Sequence, residues 1–210
     1  MTVSLQSNFA NPPRRNRAEN RDFRRASLIQ AAIAVVAEHD ITGATVERIC
    51  ERAGVSRGLI GHYFDNKEHL LVVALQSQFS RAVALKREIA NHPAKDAAET
   101  LKSMMKVSFS SPVYDREQMA AWQAFTNASR SNAAYRPPIS RVGRELHRLF
   151  ESLFAQAADA RHIKIDASLA AFGLVTILDG LWNSLATGKD EASTDDALRA
   201  CELFIEGCLR

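Results

Sequence analysis

Apolar side chains recur along this chain with the spacing of α-helices. Near the start, Leu28, Ala32, Val35 and Val36 follow the i, i+4, i+7, i+8 rule that places one apolar stripe along a helix. The stripe ends near Asp40, where residues typical of turns begin. The pattern therefore predicts a first amphipathic helix of about five turns, starting near residue 20.

The stretch "AGVSRGLIGHYFDNKEHLL", residues 53–71, places three glycines between two segments that read as good helix. Before it, Thr45 has the right chemistry to be the N-cap of a helix over 46–53, because its hydroxyl can accept a hydrogen bond from a free amide. Gly54 fits the left-handed residue that ends such a helix. Ser56 is then the expected cap of a short helix over 57–63.

The rest of the chain is predicted to be helical as well. A D-x-x-E capping box at Asp65 and Glu68 marks the start of a long helix over 66–89. Proline and glycine breakers divide the remaining residues into helices over 95–110, 115–131, 138–158, 166–187 and 194–208. Because no alternating strand pattern occurs, the predicted fold class is all-α. We expect a disordered basic arm over 1–19, a three-helix DNA-binding domain over 20–65 and a larger helical domain over 66–210.

Charge separates the first third of the chain from the rest. The formal net charge is +3, and residues 1–67 hold ten Lys or Arg against seven Asp or Glu, which accounts for all of it. Six arginines fall within twelve positions: Arg14, Arg15, Arg17, Arg21, Arg24 and Arg25. Such a cluster fits either a solvated arm or an electrostatic footprint for a polyanion.

Other features of the composition point to a cytoplasmic protein without a membrane partner. The chain has no run of eighteen apolar residues, and its N-terminus has no apolar core of a secretory signal. Three cysteines, Cys50, Cys201 and Cys208, are an odd number without the spacing of metal ligands. We interpret them as reduced thiols.

A helix, a glycine turn and a second short helix form the helix-turn-helix unit. Gly58 and Gly61 lie on the second helix, where each costs about 1 kcal/mol relative to Ala. A helix laid in the DNA major groove would offset that cost, because bases and phosphates approach its backbone closely. Polar and amphipathic residues also cluster there: Ser56, Arg57, His62, Tyr63 and Lys67. The alternative is an ordinary helical hairpin with a glycine-rich turn.

The segment "TVERICERAGVSRGLIGHYFDNKEHLL" resembles the DNA-binding segment of the TetR family of bacterial transcriptional regulators. The shared features are the threonine before the second helix, A-G-V-S at the turn, and Y-F-x-x-K-x-x-L-L leading into the next helix. The resemblance implies a homodimer that binds double-stranded operator DNA and a small-molecule effector in its C-terminal domain. The candidate DNA-binding residues are Thr45, Ser56, Arg57, Gly58, Gly61, His62, Tyr63 and Lys67.

Four residues in the C-terminal half are candidates for ligand binding. Trp122 and Phe125 are i, i+3 neighbours on one predicted helix, and Asp179 and Trp182 have the same spacing on another. A carboxylate among apolar residues is costly unless it is paired. An aromatic surface with one counter-charge suits a quaternary ammonium ligand, since cation–π contacts are worth about 0.5–2 kcal/mol each.

The stretches "AAWQAF" and "LDGLWNSLATGK" resemble the BetI-like branch of the family, whose members repress choline-to-glycine-betaine genes and respond to choline. This resemblance implies choline or a related quaternary ammonium effector, although Thr126 stands where a second aromatic is expected after Phe125. The alternatives are a different, more apolar effector, or an Asp179 that pairs with Arg144 or Arg148 or lies at a dimer interface. The tryptophans would then be core residues.

The last two helices are the predicted dimer interface. Small residues lie on one side of 166–187, and an apolar stripe runs along 194–208: Ala170, Ala171, Gly173, Gly180 and Ala186, then Leu198, Cys201, Phe204, Ile205 and Cys208. Two such helices from each subunit can form a four-helix bundle.

Enzyme motifs are absent from the sequence. It contains no H-E-x-x-H, C-x-x-C, G-x-S-x-G or phosphate loop, and its six histidines are scattered. We therefore expect no catalytic residues, no metal site and no cofactor. A third class, an architectural DNA-binding protein without an effector, predicts a filled C-terminal core with no cavity.

Overall fold

The computed structural model describes residues 17–92, 96–187 and 193–210, and every regular element within those ranges is helical. The all-α prediction is thereby confirmed. The elements are α1 (Arg17–Gly43), α2 (Val46–Ala53), a 3-10 helix (Arg57–His62), α3 (Lys67–Asn91), α4 (Ala97–Ser108), α5 (Arg116–Ala128), a 3-10 turn (Ala133–Tyr135), α6 (Arg136–Arg161), α7 (Ala167–Thr187) and α8 (Thr194–Cys208).

The first helix begins earlier than the apolar pattern predicts. It starts at Arg17, so residues 17–19 are helical and do not belong to a disordered arm. The rest of the predicted arm lies outside the described residues. The helix breaks at Asp40, which has φ +57°, close to the turn that the sequence indicates. The four arginines of α1 are exposed on its first turns: Arg17, Arg21, Arg24 and Arg25.

The turn after α2 has the predicted capping chemistry. The Arg48 amide donates to Thr45 Oγ1 at 3.3 Å, which caps the helix. Gly54 adopts φ +66°, and its amide and that of Val55 donate to the carbonyls of Glu51 and Cys50, as in a Schellman motif. A residue with a Cβ would be strained there, which accounts for glycine.

Two predicted caps differ from the structure. Ser56 precedes the 3-10 helix, but its side chain makes no capping hydrogen bond. The N-cap of α3 is Asn66, whose Oδ1 accepts from the His69 amide at 2.8 Å, one residue after the predicted Asp65. Asp65 instead faces His69 Nδ1 at 3.1 Å. An asparagine side chain caps as well as aspartate, so residue type alone does not favour Asp65 over Asn66.

The described residues bury two apolar clusters. The first joins α1, α2, the 3-10 helix and the start of α3 with Ala121, Ala124 and Phe125 of α5. The second joins α4, α6, α7 and α8. Helix α1 makes its most extensive interhelical contact with α5. The N-terminal helices are thus packed directly onto the C-terminal ones.

Helices α7 and α8 pack closely within one subunit. A Cβ on Gly173 would lie 2.6 Å from the Phe204 ring, so the glycine permits the close approach. Cys201 and Ile205 are fully buried in the same subunit. These parts of the predicted interface are therefore intrachain core, because α4 and α7 already cover them.

Helix α7 is long and apolar enough to cross a membrane by length and composition: an 18-residue window has a mean hydropathy of 1.4, and 22% of it is buried. Core helices of soluble proteins pass the same test. Its exposed apolar side chains are Leu169 and Phe172, and α8 adds Leu203.

Candidate functional site

The structure brings the predicted DNA-binding residues together around the α2 turn and the 3-10 helix. Most of them are exposed, namely Ser56, Arg57, Gly58, Gly61 and His62, while Thr45, Tyr63 and Lys67 are half-buried. Thr45 and Lys67 are at the N-terminal ends of α2 and α3, where free amides point outward. We call these eight residues the reading surface.

The two glycines of the reading surface have no intramolecular reason to be glycine. A Cβ built on Gly58 or Gly61 would meet nothing within 4 Å. Among the described glycines only Gly54 has a positive φ. Neither packing nor backbone conformation therefore requires a missing side chain at these two positions.

The N-terminal turns of α1 lie beside the reading surface. Asn20, Phe23 and Arg24 line a shallow depression together with Gly54 and Ser56. On another face of α1, Arg25 places its guanidinium 5.4 Å from the centroid of the Phe64 ring. Two exposed arginines of α1, Arg24 and Arg25, thus lie beside the helix-turn-helix segment.

Arg57 is partly neutralised within the chain. Its Nη1 lies 2.9 Å from Glu47 Oε1, and both side chains are exposed. The pKa of the Glu47 carboxyl lies below its ordinary value because of hydrogen bonds from its own amide and from Thr45, with Arg57 adding attraction. An exposed pair of this kind is weak and can exchange Glu47 for a phosphate.

A cavity of about 140 Å³ lies between α3, α5, α6 and α7. Three of the four predicted ligand-binding residues line it: Trp122, Asp179 and Trp182. Most of the remaining wall is apolar, from Phe79, Val83, Ile139, Val142, Leu146, Val175 and Leu178. An apolar wall with a few polar groups is the lining of a small-molecule site.

Phe125, the fourth predicted residue, does not line this cavity. It is fully buried in the first apolar cluster, where its ring packs 5.6 Å from that of Tyr135. The i, i+3 spacing from Trp122 places it on the side of α5 that faces α1. Thr126, the next residue, turns toward the cavity instead.

The two tryptophans are held in fixed orientations. Their rings meet edge to face at 5.7 Å with an interplanar angle of 76°. The Trp182 indole N–H donates to the Ser108 carbonyl at 3.1 Å, and the ring packs 6.1 Å from Tyr114. The aromatic wall is therefore formed before any ligand enters.

Asp179 lies at the mouth of the cavity. It is exposed, yet the nonpolar atoms around it raise the pKa of its carboxyl to about 6 through desolvation. Within the described ranges no Arg or Lys nitrogen comes within 4.0 Å of it, so it forms no ion pair with Arg144 or Arg148.

Two polar residues of the cavity were not predicted. Lys86 on α3 lines it with only 2% of its surface exposed, and burial lowers the pKa of its ammonium group to about 8. Thr126 Oγ1 is buried without a hydrogen-bond partner. The available signal was the position of Lys86 in the stripe of Phe79 and Val83, at i−7 and i−3.

Two helices join the cavity to the reading surface. Helix α3 begins at Lys67 and supplies Phe79, Val83 and Lys86 to the cavity, roughly 18 to 28 Å further along at 1.5 Å per residue. Helix α5 supplies Trp122 and packs on α1. In the described part of the chain, no three His, Cys, Asp or Glu side chains form a group that could hold a metal ion.

Comparison with known families matches both halves of the chain. Residues 28–74 match the family described as bacterial regulatory proteins, tetR family. Residues 97–210 match the family described as BetI-type transcriptional repressor, C-terminal. A similar curated protein is the HTH-type transcriptional regulator BetI of Proteus mirabilis, 30% identical over 88% of this chain and 90% of that protein.

Similar solved structures share the fold over most of their length. A transcriptional regulator from Pseudomonas aeruginosa PAO1 is 31% identical with a TM-score of 0.79, over 89% of this chain and 90% of that chain. A regulator from Saccharomonospora viridis solved with choline is 22% identical with a TM-score of 0.76, over 88% and 96%. FadR from Bacillus subtilis, solved with stearoyl-CoA, is 21% identical with a TM-score of 0.72, over 88% and 97%.

Proposed function

The chain belongs to the TetR family of transcriptional regulators and has a BetI-type C-terminal domain, and on that premise we propose that it is a dimeric repressor released from its operator by a small molecule. It is a regulator and not an enzyme. The observation that carries the proposal is the cavity, because two of its walls, α3 and α5, are the helices that contact the DNA-binding end of the chain.

The reading surface is the proposed contact with operator DNA. The 3-10 helix enters the major groove, where the missing side chains of Gly58 and Gly61 let the DNA approach the backbone. Tyr63 and His62 are the proposed base contacts, and Lys67 binds a phosphate at the start of α3. The exposed arginines of α1 add sequence-independent attraction.

The proposed dimer interface is the outer face of α7 and α8. One face of α7 carries Leu169, Phe172 and Gly180 at helical spacing, and one face of α8 carries Ala200 and Leu203. All five residues are exposed in the single chain. Covering this face with a second copy buries it in a four-helix bundle. The membrane-like composition of α7 is then that of a helix buried on both sides.

Choline or a related quaternary ammonium compound is the first proposed effector. The edge-to-face tryptophans offer aromatic surface, and Asp179 supplies a counter-charge at the mouth. The structural neighbour solved with choline is consistent with this class of effector. Its identity of 22% supports a shared fold only. The second candidate is a more apolar effector, which the largely aliphatic wall favours.

The switch depends on the geometry of a dimer on DNA. Two reading surfaces must enter major grooves about 34 Å apart. A ligand that rotates α3 and α5 slightly in each subunit changes that spacing. It can do so only through its difference in affinity for the two states, and about 5.5 kcal/mol moves the equilibrium from 1:99 to 99:1.

Asp179→Asn tests the cationic effector. Operator binding is measured by fluorescence anisotropy with and without choline, using the DNA upstream of the chain's own gene as the first operator. We expect the parent to be released by choline, and the variant to bind DNA equally well but to stay bound. Trp182→Ala should lose the response less completely.

Two results would contradict this part of the proposal. A variant that responds like the parent excludes Asp179 from effector binding. A variant that unfolds or loses its dimer shows that Asp179 is structural. Release by an apolar compound and not by choline would favour the second candidate effector.

A further inference from the structure

Lys86 is a buried cation without a counter-charge. It lies on α3 in the apolar stripe with Phe79 and Val83, and it lines the cavity. Within the described ranges, no carboxylate comes within 4.0 Å of its Nζ. Glu145, a nearby acid on α6, is bound by Arg87 instead.

An unpaired ammonium group is an expensive choice for this position. Removing such a charge from water costs several kcal/mol unless an opposite charge or hydrogen bonds compensate. A methionine of similar length would fill the same stripe without that cost. Even with the pKa of its ammonium lowered to about 8, Lys86 is mostly charged at neutral pH. A costly charge that lines a cavity is typical of a binding group.

Building on the proposed function, we infer that the effector carries an anionic group, a carboxylate above all, which binds Lys86 Nζ and Thr126 Oγ1 inside the cavity. The Thr126 hydroxyl is buried and unpartnered, so it can donate to a carboxylate oxygen. A carboxylate at Lys86 and a hydrogen bond to Thr126 then satisfy the two cavity-lining polar groups that lack a partner in the free protein.

The second charge of the cavity narrows the ligand class to a zwitterion. Among the cavity-lining residues of α5, α6 and α7, Asp179 is the only charged one, and it lies more than 4.0 Å from Lys86. A cationic end next to Asp179 and the tryptophans, with a carboxylate at Lys86, pairs both charges. Choline, which has no carboxylate, would pair with Asp179 but leave Lys86 unpaired, so it should bind more weakly than the zwitterion.

Four small molecules of similar size test the contributions of the cation and the carboxylate separately. Choline has only the cation, trimethylglycine has cation and carboxylate, 3,3-dimethylbutyrate has only the carboxylate, and 3,3-dimethylbutanol has neither. Octanoate and octanol form a further acid–alcohol pair, with a longer apolar chain. Binding is monitored by tryptophan fluorescence, because both tryptophans of the chain line the cavity.

We expect each acid to bind the parent at least tenfold more tightly than its alcohol, with trimethylglycine the tightest of the four small ligands. Lys86→Met should reduce the tenfold preference to about one. Thr126→Val should reduce it by a smaller factor. Lys106→Met, an exposed lysine on α4 outside the cavity, is the matched control and should keep the preference.

The inference is overturned if no acid binds more tightly than its alcohol, including the case in which none of the six binds. It is also overturned if Lys86→Met keeps the preference. Should Lys86→Met fail to fold, the acid–alcohol comparison in the parent and the Thr126→Val variant decide. An acid that binds through Lys86 but does not release the operator leaves the inference intact and contradicts the proposed function.

Discussion

Among single residues, Lys86 is the one that we propose decides what the cavity binds. Its neighbours along the stripe are apolar, its side chain is almost fully buried, and no carboxylate within the described ranges pairs with it. A buried charge of this kind lowers the stability of the fold, and we propose that in return it binds the anionic group of a ligand. The reading surface has the opposite character, since its polar groups are exposed and cost little in the free protein.

The cost of Lys86 should appear in the pH dependence of stability. Burial lowers its pKa from 10.5 to about 8 in the folded state, so between these values the unfolded chain holds a proton that the folded chain has released. Stability must therefore rise with pH, by about 1 kcal/mol between pH 8 and 9. Urea denaturation of the parent and of Lys86→Met should show this rise only in the parent.

Comparing the parent with Lys86→Met isolates the contribution of the lysine. Burial raises the pKa of the thiols of Cys50, Cys201 and Cys208, so their ionisation in the unfolded chain reduces the rise as the pH approaches 9.0, but by the same amount in both proteins. Lys106→Met controls for a general effect of replacing a lysine. The same slope in Lys86→Met as in the parent would mean that Lys86 is charged and solvated in the folded protein.

Tyr63 and Lys67 should affect DNA binding in different ways. Tyr63→Ala is expected to weaken binding to the operator by about 1–3 kcal/mol and to spare non-specific DNA. Lys67→Ala should weaken binding to all sequences and reduce the salt slope by about one unit, because one phosphate contact is lost. Anisotropy titrations at several salt concentrations distinguish the two. If both variants bind like the parent, the reading surface has been misplaced.

At the scale of elements, α2 and the 3-10 helix are the part of the chain that we propose DNA approaches. Gly54 provides the left-handed turn, and α1 packs against α2. The 3-10 helix itself has an open outer face. The fold itself requires glycine at position 54, whereas only a bound partner would require it at Gly58 and Gly61.

Gly61→Ala should therefore reduce operator affinity without reducing stability. The added methyl meets no atom within 4 Å, and thermal unfolding should be unchanged or slightly higher, since alanine lowers the entropy of the unfolded chain. We expect operator affinity to fall about tenfold, or about 1.4 kcal/mol. Gly43→Ala is the contrast: its Cβ would lie 2.8 Å from that of His39, so it should lower stability. An unchanged operator affinity in Gly61→Ala would show that the DNA does not approach there.

At the scale of the whole molecule, the two functions that we propose meet on shared helices. The cavity lies between helices that reach the DNA-binding end and helices that present an exposed apolar face. Ligand, DNA and partner subunit would then each bias the same arrangement of α3, α5 and α7. Coupling of this kind requires two discrete states that each ligand distinguishes.

Breaking the proposed dimer should abolish operator binding. Phe172→Glu places a charge on a side chain that is 60% exposed in the single chain, and burying that charge against a second copy is costly. Light scattering should show a monomer, and operator affinity should fall at least a hundredfold because one half-site is lost. Phe23→Glu, at a side chain of 52% exposure on α1, is the control and should stay dimeric. A Phe172→Glu variant that remains a dimer would place the interface elsewhere.

Local chemistry allowed the sequence alone to determine most of the helices. Caps, breakers and 3.6-residue periodicity act within a few positions of one another, so Thr45, Gly54 and the start of α8 could be read directly. The DNA-binding motif is equally local, since its residues fall within one stretch of the chain. The competing capping residues Asp65 and Asn66 show the limit of this approach, because both have the same capping chemistry.

The tertiary structure decided which faces of the C-terminal helices meet. Phe125 and Thr126 are adjacent in sequence, yet one is core and the other lines the cavity, because α5 packs between α1 on one side and α7 on the other. Cys201 and Ile205 form intrachain core for the same reason. The unpaired state of Lys86 depends on helices far apart in the chain, since only their packing fixes which charges come within reach of its ammonium group.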